Sequence, residues 1–475
     1  MSIMSKRTII KGTLILTITG ILTKCLGFYN RIFLTRLIGV KELGTYQLIF
    51  PLYILGISFC CQGIATTITK HVSYLLGKKK YSDTRRALCF GGFLSFVLSL
   101  LVSACFFFGC DFIAMHILKN TDCRILLRIL SPAVPFVAIK ACINAFFIGH
   151  EKPVFSGSCQ LIEQIIRIGS VYLLAISYMQ DHVDAKTAVL GVVIGEMGAT
   201  FYAVSCYILF RRKQNQANRL PDKDMCISVK KKSSLMIPML KDIIPITSNN
   251  LIFTLFSSFE AIILPTFLFQ YYNNADTSME MYGIITGIVI PFLLFPATIT
   301  NSLSTMLLPS ISYACAKRDT EAIKKALVSS ALFCIMLGSF ACVLYILFGK
   351  TICTFAFESA EAGTLLQLMG FLCPFIYLST TLSSVMNGIG YATQNLIYNI
   401  LGISVRILCI IFFVPHFGIH AYICGMFGGY LLHNALTITK LASLIRNLLR
   451  PVVRGALVDV IIEPICIECI RMTSP

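Results

Sequence analysis

Inside the longest apolar runs of this sequence stand a few charges, and their types and spacing suggest what they could do. Arg167 and Arg406 lie 239 residues apart. Each falls about 14 residues into an apolar run that reads as a helix, roughly 21 Å along its axis at about 1.5 Å per residue. A charge at the centre of a bilayer costs at least about 2.5–3.5 kcal/mol. A guanidinium binds phosphate oxygens two at a time, so a matched pair facing one cavity suits a pyrophosphate. Glu163, one turn before Arg167 on the same helix face, is its competing partner; no carboxylate lies four residues from Arg406.

A second basic group has Lys24 inside the first apolar run and Arg31 and Arg36 near its outer end. Lys24 and Arg31 are candidates for an anionic head group. Arg36, near the run's outer end, is expected to snorkel to the headgroups, as is Lys140, some nine residues from the opposite end of its run. Glu196 and Glu260 read as isolated acids in apolar surroundings. Burial raises a carboxyl pKa, which suits a group that takes up and releases a proton or holds a sodium ion. The alternative partner for each acid is one of these cations. Proton, sodium and membrane potential stand equal as driving force. Pro51, Pro135, Pro291, Pro296 and Pro374 fall inside apolar runs. Proline there frees a carbonyl and permits bending, so Pro135 and Pro374 are candidate hinges.

The elements that must position these residues are membrane helices. Of 475 residues 56% are hydrophobic and 13% charged, with a mean hydropathy of +0.79. Apolar runs near 20 residues long read as spans. About twelve are expected, at 8–29, 43–67, 87–110, 125–149, 154–178, 187–210, 241–270, 281–308, 327–349, 362–388, 393–414 and 418–440. The first is a retained span, since it shows no small-residue cleavage site. The net charge of +18 collects in alternate loops, at 70–86, 211–232 and 317–325. This explains the basicity without nucleic acid and places both termini in the cytoplasm of a multi-pass cell-membrane protein.

Why Arg167 and Arg406 match is written elsewhere too. HVSYLLGKKKYSDTRRAL (71–88) and SISYACAKRDTEAIKKAL (310–327) share the same offset of 239, as do Pro135-Phe136 with Pro374-Phe375 and Gly149 with Gly388. The chain is a duplicated six-helix unit with parallel copies, and the substrate path is expected between them. The expected domains are a first bundle at 1–210, a basic linker at 211–240, a second bundle at 241–440 and a basic and apolar tail at 441–475.

Residues 23–51, TKCLGFYNRIFLTRLIGVKELGTYQLIFP, resemble the opening of exporters of the multidrug/oligosaccharidyl-lipid/polysaccharide (MOP) superfamily. The carriers are the LGF turn, the cations around Lys24, Arg31 and Arg36, then Gly39, Glu42-Leu43-Gly44 and Tyr46. Within the superfamily the chain is similar to the stage V sporulation protein B branch of polysaccharide biosynthesis transporters, related to the lipid II flippases. The resemblance covers residues 6 to about 440. It implies two pseudo-symmetric six-helix bundles in a V, alternating access, and flipping or export of a lipid-linked oligosaccharide, by analogy a peptidoglycan or spore-cortex precursor. It also implies functional cations at or beside Lys24, Arg31 and Arg36, and cell-wall synthesis enzymes as partners. Relatives continue with one or two more helices. Here residues 451–475 are interrupted by Asp459, Glu463, Pro464 and Glu468, and are expected to be an interfacial helix, a degraded span or the end of a truncated reading frame.

Two other readings compete. A cation-coupled multidrug antiporter of the same superfamily would favour cavity carboxylates, and a non-transporting scaffold would need no cavity charge. An enzyme is not expected: the loops opposite the basic ones are short, and His116, His182, His416 and His420 are scattered. Most of the 20 cysteines lie within apolar runs and read as small hydrophobes. Cys466 and Cys469 form a CxxC without a second pair, so neither a metal nor a cofactor is expected.

Overall fold

The computed structural model describes residues 6–77, 81–150, 152–177, 184–217, 233–316 and 319–444. The core of the linker, 218–232, and the tail from 445 onward, with Cys466 and Cys469, lie outside the described residues. The described chain is nearly all helix and groups into twelve stretches that run back and forth between two faces. The face at which the described residues 70–77, 81–86, 211–217 and 319–325 lie is the basic face, and the opposite one the far face.

In the first half, α1 (6–38) and α2 (40–77) are one continuous run broken at Gly39, whose φ of 78° and ψ of 170° only glycine adopts freely. A π turn at Ser58–Gln62 interrupts α2. Then follow α3 (Tyr81–Phe108), α4 (123–149), α5 (Pro153–Ser177) and α6 (Ala185–Ala217). The second half contains α7 (Ser233–Tyr272), α8 (275–316), α9 (Thr320–Phe357), α10 (360–389), α11 (Ala392–Phe412) and α12 (419–444). Nine helices among the described residues are long and apolar enough to cross a membrane, or ten if Cys123–Leu130 and Ala133–Gly149, bent by 43°, form one span. One of the nine, Ile18–Leu76, has 59 residues, far beyond one crossing, and is the α1–α2 pair.

The helices outrun the expected spans. Where 327–349 is apolar, α9 continues from Thr320 to Phe357, its start capped by Asp319 accepting from the Ala322 N–H. Asn274 and Ser359 cap the starts of α8 and α10. Each cap satisfies a backbone donor that helix geometry leaves open. Large apolar side chains point outward, among them Phe108, Leu173, Phe340 and Phe355, an inversion that suits a lipid solvent.

Each flagged proline sits where its helix turns or changes register. Pro51 and Pro291 open the segments Phe50–Ile57 and Ile290–Leu294, and Pro374 opens Cys373–Ile389 after a 3-10 turn. Pro135 lies in the first turn of Ala133–Gly149, after the 43° bend. The carbonyls four residues before Pro135 and Pro374, those of Ser131 and Gly370, accept instead from the Val134 and Cys373 N–H groups, so the duplicated pair occupies matching breaks in α4 and α10. One buried core runs across both halves, from Leu34, Leu43 and Leu48 to Ile285, Leu293 and Tyr377.

Candidate functional site

Between the halves lies a cavity of about 430 Å³. One face of α1 supplies Thr23, Lys24, Gly27, Asn30 and Arg31, three or four residues apart, the spacing that places side chains on one side of a helix. α2 adds Tyr46 and Gln47, α5 adds Gln164 and Arg167, and α8 adds Thr286 and Pro291. Its lining has three cations and no Asp or Glu. Among the described residues Lys24 has no ion-pair or hydrogen-bond partner. Arg31 has no carboxylate; its Nη1 donates to the Thr286 and Gly287 carbonyls of α8 at 3.1 and 3.0 Å.

Arg167 is anchored from behind. Its Nη2 donates to Glu163 Oε1 at 2.5 Å and lies 3.7 Å from Glu196 Oε1. Lys140 on α4 donates to Glu163 Oε2 at 2.6 Å and to Glu196 Oε2. Two cations and two carboxylates on α4, α5 and α6 thus form a closed network, its side chains 7–17% exposed. Such burial is tolerable because every charge has an opposite neighbour. The helices come close enough because Gly191 and Gly195 of α6 lie against Val171 and Arg167 of α5.

A smaller cavity of about 300 Å³ lies in the second half, lined by Phe253, Glu260, Arg406, Tyr422 and Tyr430, among others. Arg406 Nη2 is 3.2 Å from Glu260 Oε2, and its guanidinium carbon stands 5.3 Å from the Tyr430 ring centre. The second carboxylate oxygen, Glu260 Oε1, is buried without a partner among the described residues. Thr286, Ile290 and Leu294 of α8 line both cavities and form the wall between them.

Toward the far face the halves are joined. Arg36 donates to the Ala356 and Phe355 carbonyls at the end of α9, where unsatisfied carbonyls attract a cation. Lys41 Nζ lies 2.6 Å from Asp276 Oδ1. Gly44 of α2 and Gly283 of α8 face each other backbone to backbone: a Cβ on Gly44 would strike the Met279 carbonyl, and one on Gly283 the Val40 carbonyl. These four positions are related by the offset of 239, since 44 maps to 283 and 40 to 279. The contact is therefore reciprocal, as at a two-fold interface. Near the basic face α2 meets α7 through Lys70 and His71, which share Asp242 at 2.9 and 3.0 Å.

The structure brings Lys24, Arg31 and Arg167 together. It does not bring Arg167 and Arg406 into one cavity as expected; α8 stands between them. Glu196 and Glu260 are not isolated: each is paired with an arginine, Glu196 also with Lys140. Lys140 does not snorkel, because two carboxylates hold it inward. Arg36 is half exposed, as a headgroup residue would be, yet its guanidinium ends on backbone carbonyls. Pro135 and Pro374 lie outside both cavities' linings. Sequence reasoning missed Asn30, Gln47 and Gln164; a polar amide within an apolar run was the available signal for Gln47 and Gln164, and one just past a run's end for Asn30.

Known proteins share this architecture. The family described as polysaccharide biosynthesis protein matches residues 9–315. The chain is 27% identical to stage V sporulation protein B of Bacillus subtilis (strain 168) over 445 residues, covering 92% of this chain and 85% of that one. It is 22% identical to lipid II flippase MurJ of the same organism, over 64% of this chain and 58% of that one. Among solved structures, the inward-facing conformation of a multidrug resistance MATE family transporter of the MOP superfamily superposes with a TM-score of 0.72 at 12% identity, covering 90% of this chain and 96% of that one.

Proposed function

The chain belongs to the polysaccharide biosynthesis protein family, and from that premise we propose that it carries an anionic, lipid-linked saccharide precursor across the membrane by alternating access. The observation that carries this reading is the main cavity, lined by Lys24, Arg31 and Arg167 and by no acid. Cations in a low-dielectric cleft attract a pyrophosphate strongly, and guanidinium groups match its oxygens. The lipid tail remains in the bilayer while the head group crosses.

The steps follow from the contacts. By the positive-inside rule the basic face is cytoplasmic, as are both termini. The far-face joints, Arg36 to α9, Lys41 to Asp276 and Gly44 to Gly283, then tie the halves on the outside, and Lys70 and His71 tie α2 to α7 through Asp242 on the cytoplasmic side. The head group enters from the cytoplasmic leaflet and settles against Lys24, Arg31 and Arg167. The halves, 1–210 and 241–440, then rock about the junction, with 211–240 linking them and the breaks at Pro135 and Pro374 taking up bending. Arg406 serves its own cavity, where it meets the saccharide beyond the pyrophosphate. Glu196 and Glu260 are the candidates for taking up a proton or sodium ion once their arginines turn to substrate. The cargo is a peptidoglycan or spore-cortex intermediate, delivered to cell-wall synthesis enzymes at the cell membrane. A drug antiporter is disfavoured, because an organic cation would meet the unpaired Lys24 in the main cavity.

Native mass spectrometry of the protein in mild detergent tests this. The wild type is expected to retain a polyprenyl-pyrophosphate saccharide that a Lys24→Ala/Arg167→Ala variant loses. Equal retention by both would remove the head-group role of these cations. Organic cations retained in place of the lipid would favour the antiporter.

A further inference from the structure

The break in α8 leaves carbonyls that its own helix cannot satisfy. Pro291 has no N–H. The carbonyl four residues before it, that of Gly287, therefore has no α-helical donor; the one five before it, that of Thr286, has none in the π register that α8 adopts at Ile284–Val289. Both orphans accept from one atom, Nη1 of Arg31, on the other half of the molecule. Five residues on, Pro296 breaks α8 again. There the carbonyl of Phe292 accepts from the Phe295 N–H at 3.2 Å and from the Tyr345 hydroxyl of α9 at 2.6 Å, and that of Leu293 from the Tyr377 hydroxyl of α10 at 2.8 Å, all in the same half. One break is satisfied locally by neutral groups. The other is satisfied across the junction by a cation that also lines the main cavity.

We propose that Arg31 is a shared ligand coupling head-group binding to far-face opening: it holds the Pro291 break while the cavity is empty and transfers to phosphate oxygens when a pyrophosphate lipid enters. This rests on the anionic reading of the cavity. A charged, bidentate phosphate is a stronger acceptor for guanidinium than neutral carbonyls. Among the described residues Nε and Nη2 of Arg31 have no protein acceptor, so a phosphate can engage them before Nη1 lets go. Once Nη1 leaves, Thr286 and Gly287 lose the donor that ties α8 to α1, one turn from the Gly44–Gly283 contact. The cavity gains affinity in the form where the tie is broken, and differential affinity is what shifts a conformational equilibrium. In reverse, α8 regains its donor only when the phosphate has left, so closure waits on release.

The test uses the full chain in nanodiscs with farnesyl pyrophosphate as probe. Binding is titrated, and hydrogen exchange is followed in peptides covering 40–44 and 275–291. In the wild type the probe is expected to speed exchange in both segments. Arg31→Gln is expected to weaken binding about tenfold and to leave exchange fast with or without probe. Pro291→Ala returns an N–H to the Gly287 carbonyl and frees the guanidinium; binding is expected to tighten by up to about tenfold, the scale of one hydrogen bond to a charged group. Pro291→Gly restores the same N–H on a more permissive backbone and is the second variant. If the probe binds and Arg31→Gln weakens it while neither Pro291 variant changes affinity, Arg31 is a plain ligand and the coupling fails. Wild-type exchange unmoved by bound probe also overturns it. If the probe does not bind the wild type at all, the anionic reading of the cavity falls first and takes the coupling with it.

Discussion

The two halves place an arginine at the same point and surround it differently. Around Arg167 stand Lys140, Glu163 and Glu196. At the offset of 239, Lys140 maps to Ser379 and Glu163 to Gly402. The offset falls to 234 by the last helix of each half, as the glycines show. Gly195 lies against Arg167 and the Glu163 carbonyl, and Gly429 against Arg406 and the Gly402 carbonyl. Glu196 then maps to Tyr430, and it is Tyr430 that Arg406 faces. The backbone crossing was kept while every charge around the arginine was replaced, and the second half draws a carboxylate from α7, Glu260, instead. Each of these ion pairs is nonetheless made within one half. At this depth the halves can separate without breaking a buried ion pair.

The largest way to sharpen this comparison is to remove Glu260. Glu260→Ala leaves Arg406 without any carboxylate and is expected to cost about 3–5 kcal/mol, the usual penalty for an orphaned buried charge. Thermal unfolding in detergent measures it. Glu196→Ala leaves Arg167 paired with Glu163, so its cost is expected to be roughly half; equal costs would erase the distinction between network and pair.

Binding comes next. Lys24→Ala is expected to weaken farnesyl pyrophosphate about tenfold or more, a loss of one charged hydrogen-bond donor, whereas Arg406→Met/Glu260→Leu should leave that affinity unchanged. A titration in which both variants lose equally would merge the two cavities into one functional site. Gly44→Ala and Gly283→Ala are expected to cost about 1–3 kcal/mol each by overpacking, and to be strongly non-additive when combined because they meet the same contact. Additive costs would deny the reciprocal geometry. Smallest is Lys41→Gln, whose exposed ion pair with Asp276 should contribute less than about 1 kcal/mol and fade with salt; a large effect on unfolding would make this joint structural.

Much of the fold was legible because hydropathy and loop charge are local signals. The duplication was legible only while its offset held: matching Arg167 with Arg406 needs one number, matching Glu196 with Tyr430 needs the glycine contacts. The site was partly legible. Lys24 and Arg167 were marked by being charges in apolar runs, and Arg31 by standing at the end of one. Their partners were not, because Glu260 lies 146 residues from Arg406 and Lys140 lies 56 from Glu196, separations that only the folded bundle closes. The role of Pro291 was half visible: proline announces a free carbonyl but not which donor fills it.

The bond from Arg31 to α8 also sets a timetable for synthesis. Arg31 and Thr286 are separated by 255 residues. At roughly 5–20 residues per second the ribosome needs on the order of 13–50 s to pass from one to the other. Through that interval the first half sits in or beside the insertion machinery with a guanidinium at membrane depth and no carbonyls from α8 to receive it. Water, lipid phosphate or the translocon itself must hold that charge until the eighth helix arrives.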